Sequence, residues 1–267
     1  MKAVLRWLGL VLLALVALQL FFVLRIATLV VINPESTSFQ RSEAWSQLAS
    51  TGQVRWRQHW VPYAGISDHL KRAVIASEDD SFVNHEGVDW NAIEKAWDRN
   101  AKAEAQAAKA QIRAPDRPVR AAKIRGGSTI TQQLAKNLLL SGERTLLRKG
   151  QELVLTLLLE QLLSKQRILE IYLNSVEWGE GVFGAEAASQ HYFRKSASRL
   201  SAAEAAAIKP RRIDVVTVGR GDTMASLARR MAYSNYQAER FQVLNRLNAS
   251  SRLTPGQKVK IVVYASR

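Results

Sequence analysis

The sequence predicts a mainly α protein: a transmembrane helix at the N-terminus, a helical body, and a small βααβ unit at the C-terminus. Three observations carry this. An uncharged, almost wholly apolar run covers residues 7–24. From residue 69 to 208 the chain reads in leucine- and alanine-rich stretches of helical length, interrupted by glycines. Beyond Lys209-Pro210-Arg211-Arg212 the texture changes to two β-branched runs, 215–218 and 258–263, around two helical segments.

The apolar run lies between Lys2 and Arg6 on one side and Arg25 on the other, and residues 26–32 extend it. A spanning helix needs about 20 apolar residues. A cleaved signal would have a shorter apolar stretch and a small-residue site after it. Residues 1–34 are therefore read as a signal anchor. Lys2 and Arg6 favour a cytoplasmic N-terminus.

The body is read as residues 35–208. A polar connector leads to a helix over 69–76 and a second over 90–97, with Asp89 and Asn91 in its cap region. Residues 98–125 are basic, rich in alanine and free of aromatics, and Pro115 and Pro118 break any helix there. A solvated helix followed by a variable loop is preferred to a cationic flap touching phosphates or head groups. Gly126 and Gly127 lead into a helix over 129–140. One long helix is expected over 143–174, central to the core because its leucines occupy more than one side. Gly179, Gly181 and Gly184 mark an irregular stretch, and short helices run on to 208. The βααβ unit is read as residues 209–267, with helices over 224–233 and 236–247.

The net charge of +15 and pI of 10.4 favour a polyanion: nucleic acid, an anionic bilayer or a phosphorylated substrate. No nucleic-acid motif accompanies the charge. The absence of cysteine excludes disulfides, zinc-thiolate sites and thiol nucleophiles.

Three constellations carry chemistry. The first groups Glu78, Asp79, Asp80, Glu86 and Asp89 with His85 and Gly87 between two helices; crowded carboxylates, when partly buried, suit a general base. His85-Glu86 lacks the second histidine of a metalloprotease helix. In the second, Gly126 and Gly127 precede Ser128, Thr129, Gln132, Gln133 and Lys136, where a backbone approach and a helix start suit an anion. The third spaces Arg144, Arg148 and Glu152 by four, with Lys149 adjacent, along one helical stripe. Taken singly, each has an ordinary reading as well: a solvated or capping acidic loop, a capped glycine turn, and a surface ion-pair ladder.

The blocks EDDSF-x-x-H-x-G-x-D, GGSTITQQ, RK-x-x-E and K-x-x-ILE-x-YLN, in that order over residues 55–208, resemble the peptidoglycan glycosyltransferases of family 51, particularly the monofunctional membrane-anchored transglycosylases. The resemblance implies a lysozyme-like helical lobe beside a small membrane-dipping subdomain. It implies polymerisation of lipid II into glycan strands, with inversion at the anomeric carbon and release of undecaprenyl pyrophosphate. Glu78 would be the base, and Glu152 the second catalytic glutamate, organising the leaving pyrophosphate or its metal. Lys136, Arg144, Arg148 and Lys149 would lie near the donor phosphates. Ser128, Thr129 and Gln132 would line the donor side, with Asp79 and His85 shaping the loop. Mg²⁺ or Mn²⁺ is the implied cofactor. Lipid II, the nascent strand, membrane lipids and other cell-wall synthesis or division proteins are the implied partners, with no nucleic acid. The implied location is the bacterial inner membrane, single-pass, with the catalytic domain in the periplasm.

The tail, with VVTVGRGDTMASLARRM and FQVLNRLNASSRLTPGQKVKIV, resembles a lysin motif, a module that binds N-acetylglucosamine-containing glycans. Asp222 or Thr223 would cap its first helix. Family members normally continue past residue 205 through a proline-containing segment and a last helix; here the tail follows almost at once, so the lobe's end is expected to be shortened or replaced. The alternatives are a tethered peptidoglycan-binding protein with an inactive lobe and, more remotely, a lysozyme-like hydrolase.

Overall fold

The computed structural model describes residues 2–113, 127–140, 146–208, 210–232, 237–245, 247–248 and 250–264. In chain order its elements are α1 (Lys2–Thr28), α2 (Ser38–Thr51), β1 (Arg57–Gln58), α3 (Asp68–Glu78), α4 (Trp90–Arg113), α5 (Ile130–Leu139), α6 (Leu146–Leu162), α7 (Lys165–Ser175), β2 (Glu177–Gly179), β3 (Val182–Phe183), α8 (Ala185–Phe193), α9 (Ala202–Ala207), β4 (Arg211–Thr217), α10 (Met224–Ala228), α11 (Gln237–Asn245) and β5 (Lys258–Tyr264). The mainly α class with a small βααβ unit is what the sequence predicted.

Helix α1 is long and apolar enough to cross a membrane, and almost all of it is exposed. Its lower end is built into the lobe: Phe22 and Ile26 join the main core. Gln19 and Gln151 on α6 exchange amide hydrogen bonds, Gln19 Nε2 to Gln151 Oε1 at 3.0 Å and Gln151 Nε2 to Gln19 Oε1 at 3.2 Å. An unpaired amide on an apolar helix would cost free energy, and reciprocal pairing removes that cost. Arg167 donates to the carbonyls of Leu29 (2.8 Å) and Ile32 (3.1 Å), just past the helix end.

The long helix expected over 143–174 is two helices. Among the described residues, α6 ends at Leu162 and α7 begins at Lys165, with Ser164 accepting the Arg167 N–H as its N-cap. A serine amid leucines was read as helix interior, whereas its hydroxyl competes for backbone groups and favours a cap. Helix α4 continues well beyond residue 97, to Arg113, so the first part of the basic segment is helical; residues 114–126 lie outside the described residues.

Helix α5 occupies the centre of the lobe and packs on α2, α6 and α7. Ile130, Leu134 and Leu138 meet Leu155, Leu159 and Ile168 in one core. Burying each such side chain contributes about 1.5–3 kcal/mol. The stretch around the glycines forms a small sheet in the order β1-β3-β2, with β1 parallel and β2 antiparallel to β3. At Gly181, with φ +67°, a Cβ would lie 2.1 Å from the Arg55 carbonyl oxygen, so only glycine permits that approach. In the tail, β4 starts earlier than residue 215 and pairs antiparallel with β5 from Arg211↔Tyr264 to Thr217↔Lys258. Thr223 caps α10 with a capping box to Ser226, while Asp222 accepts the Gly219 N–H within the preceding turn. Val216, Leu227, Phe241, Val259 and Ile261 form a separate core.

Candidate active site

Glu78 is the last residue of α3, half-buried, where the helix opens into the acidic loop. Its Oε2 accepts a 3.0 Å hydrogen bond from Gln133 Nε2 on α5. The Gln133 carbonyl in turn accepts from the buried Tyr172 hydroxyl on α7 at 3.1 Å. A phenol donating to one end of the amide fixes which end faces the carboxylate. The sequence groups Gln133 with the anion-suited start of its helix and Tyr172 with the block K-x-x-ILE-x-YLN, but gives neither a role beside Glu78.

The remaining acids of the loop are separated by their partners. Asp79 Oδ1 faces His85 Nε2 at 2.9 Å, and Asp79 Oδ2 accepts the Ile130 N–H at 2.9 Å, at the start of α5. His85 Nδ1 accepts the Gly87 N–H at 3.1 Å, which leaves Nε2 as the donor to Asp79. Asp89 accepts from the Ser81 hydroxyl and from the Ala92 N–H at 2.7 Å. The Ser81 bond first, then the Ala92 bond, hold its carboxyl below the usual range. Asp80 and Glu86 are exposed. Of the crowded acids, Glu78 meets a side chain of α5, Asp79 holds the backbone at the start of α5, and Asp89 fixes the loop.

Thr129 and Gln132 form a capping box: Thr129 Oγ1 accepts the Gln132 N–H, and Gln132 Oε1 accepts the Thr129 N–H, each at 3.1 Å. Thr129 Oγ1 also donates to the Gly87 carbonyl at 2.6 Å. Both side chains are buried, so where the resemblance put three donor-lining residues, the structure leaves Ser128 exposed and uses Thr129 and Gln132 to start α5. The signal was readable: Thr-x-x-Gln before an apolar run is a capping-box pattern. Lys136 lies half-buried in the last turn of α5.

The cationic cluster sits on the first half of α6. Glu152 is 4% exposed, and its two oxygens take Arg148 Nη1 at 3.0 Å and Lys149 Nζ at 2.5 Å. Arg148 is 18% and Lys149 58% exposed at the side chain, so both keep a face toward solvent. Arg144 lies outside the described residues. Glu152, the residue expected to hold a divalent ion, thus carries two cations already. Among the described residues no three His, Asp or Glu side chains converge. The described residues by themselves form no cage for Mg²⁺ or Mn²⁺, since a hard cation needs oxygen ligands in number.

Loop and cluster meet through Gly87. Its φ is +85°, and a Cβ there would lie 2.8 Å from Thr156 Cγ2 and 2.9 Å from Glu160 Cγ on α6. Thr131 on α5 donates to Glu160 at 2.5 Å, and Lys165 bridges Glu160 (2.8 Å) to the His85 carbonyl (2.6 Å). A half-buried carboxylate held by an uncharged amide can accept a proton, and paired cations can stabilise a leaving phosphate.

Residues 45–211 match the transglycosylase family, and residues 216–262 match the LysM domain. The chain is 51% identical over 207 residues to a biosynthetic peptidoglycan transglycosylase of Herminiimonas arsenicoxydans, covering 77% of this chain and 82% of that one. It is 52% identical over 209 residues to a protein of the same name from Cupriavidus metallidurans, covering 75% and 81%. A third, from Ralstonia nicotianae, is 52% identical over 206 residues, covering 75% and 81%.

Proposed function

The chain belongs to the transglycosylase family, and on that ground we propose that it polymerises lipid II into peptidoglycan glycan strands with Glu78 as the general base. Glu78 takes the proton from the 4-hydroxyl of the acceptor sugar as that oxygen attacks the donor's anomeric carbon. The new C–O bond forms on the face opposite the departing pyrophosphate, whose bond to the same carbon breaks. A hydroxyl is a poor nucleophile unless a positioned base takes its proton, an effect of about 10²–10⁴-fold. What supports this reading is the line Tyr172–Gln133–Glu78, which aims one carboxylate by uncharged hydrogen bonds.

Arg148 and Lys149 neutralise the charge that develops on the pyrophosphate, with Lys136 and Arg144 adding to the same field. Glu152 holds the first two in place. Asp79, His85, Thr129 and Gln132 position the loop and the start of α5, and Ser128 faces the donor. Mg²⁺ or Mn²⁺ would act as an ion carried chiefly by the donor's phosphates, with Glu152 at most one of its ligands, adding positive charge at the leaving group. The length and apolar character of α1 support a single-pass anchor in the inner membrane, and Lys2 and Arg6 before it support a cytoplasmic N-terminus with the lobe in the periplasm. Anionic lipids and other wall-synthesis proteins are partners consistent with the charge of +15.

The test is polymer formation by the detergent-solubilised full chain from labelled lipid II and Mg²⁺, followed on a gel. Wild type is expected to give polymer and Glu78→Gln none, with lipid binding kept. Full polymerisation by Glu78→Gln would remove the base assignment.

A further inference from the structure

The tail is not strung from the lobe by a bare linker. Arg240 on α11 is 5% exposed, donating through Nη1 to Glu43 on α2 at 3.1 Å and through Nη2 to Glu180, in the β2–β3 turn, at 2.7 Å. Both carboxylates are mostly buried. Helix α11 packs on α2, and β4 lies beside β2. A guanidinium is taken out of water only where its charge and donors are matched, and two carboxylates from two elements of the lobe match this one.

Both carboxylates stand on held ground. Ser38 and Gln40 of α2 donate to the carbonyls of Leu138, at the end of α5, and Ser175, at the end of α7, each at 3.1 Å. Glu180 precedes Gly181, whose contact with Arg55 leaves no room for a side chain. The clamp therefore ties the tail to α5 and α7, the helices that bring Gln133 and Tyr172 to Glu78. Strand β4 leaves the lobe at Arg211 and ends at Thr217, about 20 Å along at the usual strand rise. Beyond that end, Val218 binds Gln257 and Gly256 through backbone hydrogen bonds of 2.7 and 2.8 Å, so two turns lie side by side. Arg220, Gly221 and Thr223 of one, and Thr254 and Pro255 of the other, are exposed.

We infer that the C-terminal unit is docked on the lobe in one orientation by Arg240, clamped between Glu43 and Glu180, and that in this pose it is a fixed rest for the growing glycan strand. This deepens the transferase reading and depends on it, and on the resemblance of the tail to glycan-binding modules. A second grip on the same polymer acts through effective concentration, which a fixed geometry keeps high and a loose tether dilutes. A docked rest holds the strand after each transfer, so strands grow longer before release.

The experiment uses the full chain in detergent with labelled lipid II, comparing wild type, Arg240→Ala, and the milder pair Glu43→Gln/Glu180→Gln. Three quantities are read: tryptic cleavage after Arg211 or Arg212, lipid II consumption, and strand length on a gel. In both variants cleavage is expected to rise about tenfold, because proteolysis follows the population of the opened form. Strands are expected to fall to about half their length while consumption stays within about twofold. Should Arg240→Ala fail to fold, the glutamine pair still decides the matter. Cleavage at the wild-type rate in a folded variant would overturn the clamp; faster cleavage with unchanged strand length would overturn the rest. A wild type that makes no polymer would sink the transferase reading instead, since the cleavage comparison stands without it.

Discussion

Glu78 and Glu152 are both carboxylates on helices beside the lobe's core, yet their surroundings suit them to opposite work. Glu78 Oε2 is held by an uncharged amide, itself held by a phenol. Glu152 is enclosed by a guanidinium and an ammonium. A neutral donor aims a carboxylate without adding a positive charge beside it. Two cations make the carboxylate a scaffold whose purpose is to hold them. Residue type alone does not separate the proposed base from the proposed organiser; the charge of the donors bound to Glu78 Oε2 and to Glu152 does.

The largest effects should come from removing each carboxylate's charge. Glu78→Gln should abolish turnover and leave donor binding near wild type. Glu152→Gln should loosen Arg148 and Lys149 and raise the KM for lipid II as well as lowering kcat, because both cations lose the charge that holds them in place. Steady-state kinetics on both variants, with a lipid-binding assay, checks the contrast; identical profiles would break it.

Next come the residues that aim the base. Gln133→Ala should lower kcat by about 10²-fold with little change in KM, the scale of a misplaced catalytic group. Tyr172→Phe removes one hydrogen bond and should cost at most about tenfold. If Gln133→Ala instead moves KM alone, the amide contacts substrate rather than the base.

Gly87→Ala sharpens the comparison structurally, because Gly87 is where the loop behind Glu78 meets the helix of Glu152. A Cβ with φ +85° and contacts under 3.0 Å should destabilise the fold by about 1–3 kcal/mol, seen as a lower Tm.

The smallest effect is an acid response on the base side. Helix α9 packs against α3, which carries Glu78. Glu204 at its start is bound by Lys195 (2.7 Å) and by the Ser201 N–H (2.9 Å) and hydroxyl (2.8 Å). The Lys195 bond first, then the Ser201 bonds, lower its pKa from 4.5 to about 2. A depressed carboxylate contributes stability above its unfolded value, and that contribution is lost as the pH falls from 4.5 toward about 2. Thermal unfolding followed across that window should show Glu204→Gln with less acid dependence than wild type.

Much of the molecule could be read from local chemistry. The apolar run became α1, Asp89 took its place capping α4, and Gly127 led into α5. Glu78, Arg148 and Glu152 stood out by residue type and spacing. Less visible were choices between neighbours. Gln132 is one of three residues the resemblance puts on the donor side; position N3 of a helix turns its amide back to the cap and leaves Gln133, about 100° further round, to face Glu78. Ser164 broke a helix that composition ran together. Nothing in the sequence distinguished Arg240 from the other basic residues of the tail.

The sequence by itself determined what period, propensity and short-range hydrogen bonds decide: the helical class, the long apolar N-terminal helix, the βααβ tail and the motifs that name the chemistry. Only the tertiary structure decided which partners those residues meet. The pairs Tyr172–Gln133, Gln19–Gln151 and Arg240 with Glu43 and Glu180 join positions far apart in the chain. Such contacts arise when packing removes water and each buried polar group must find a partner, whichever segment supplies it.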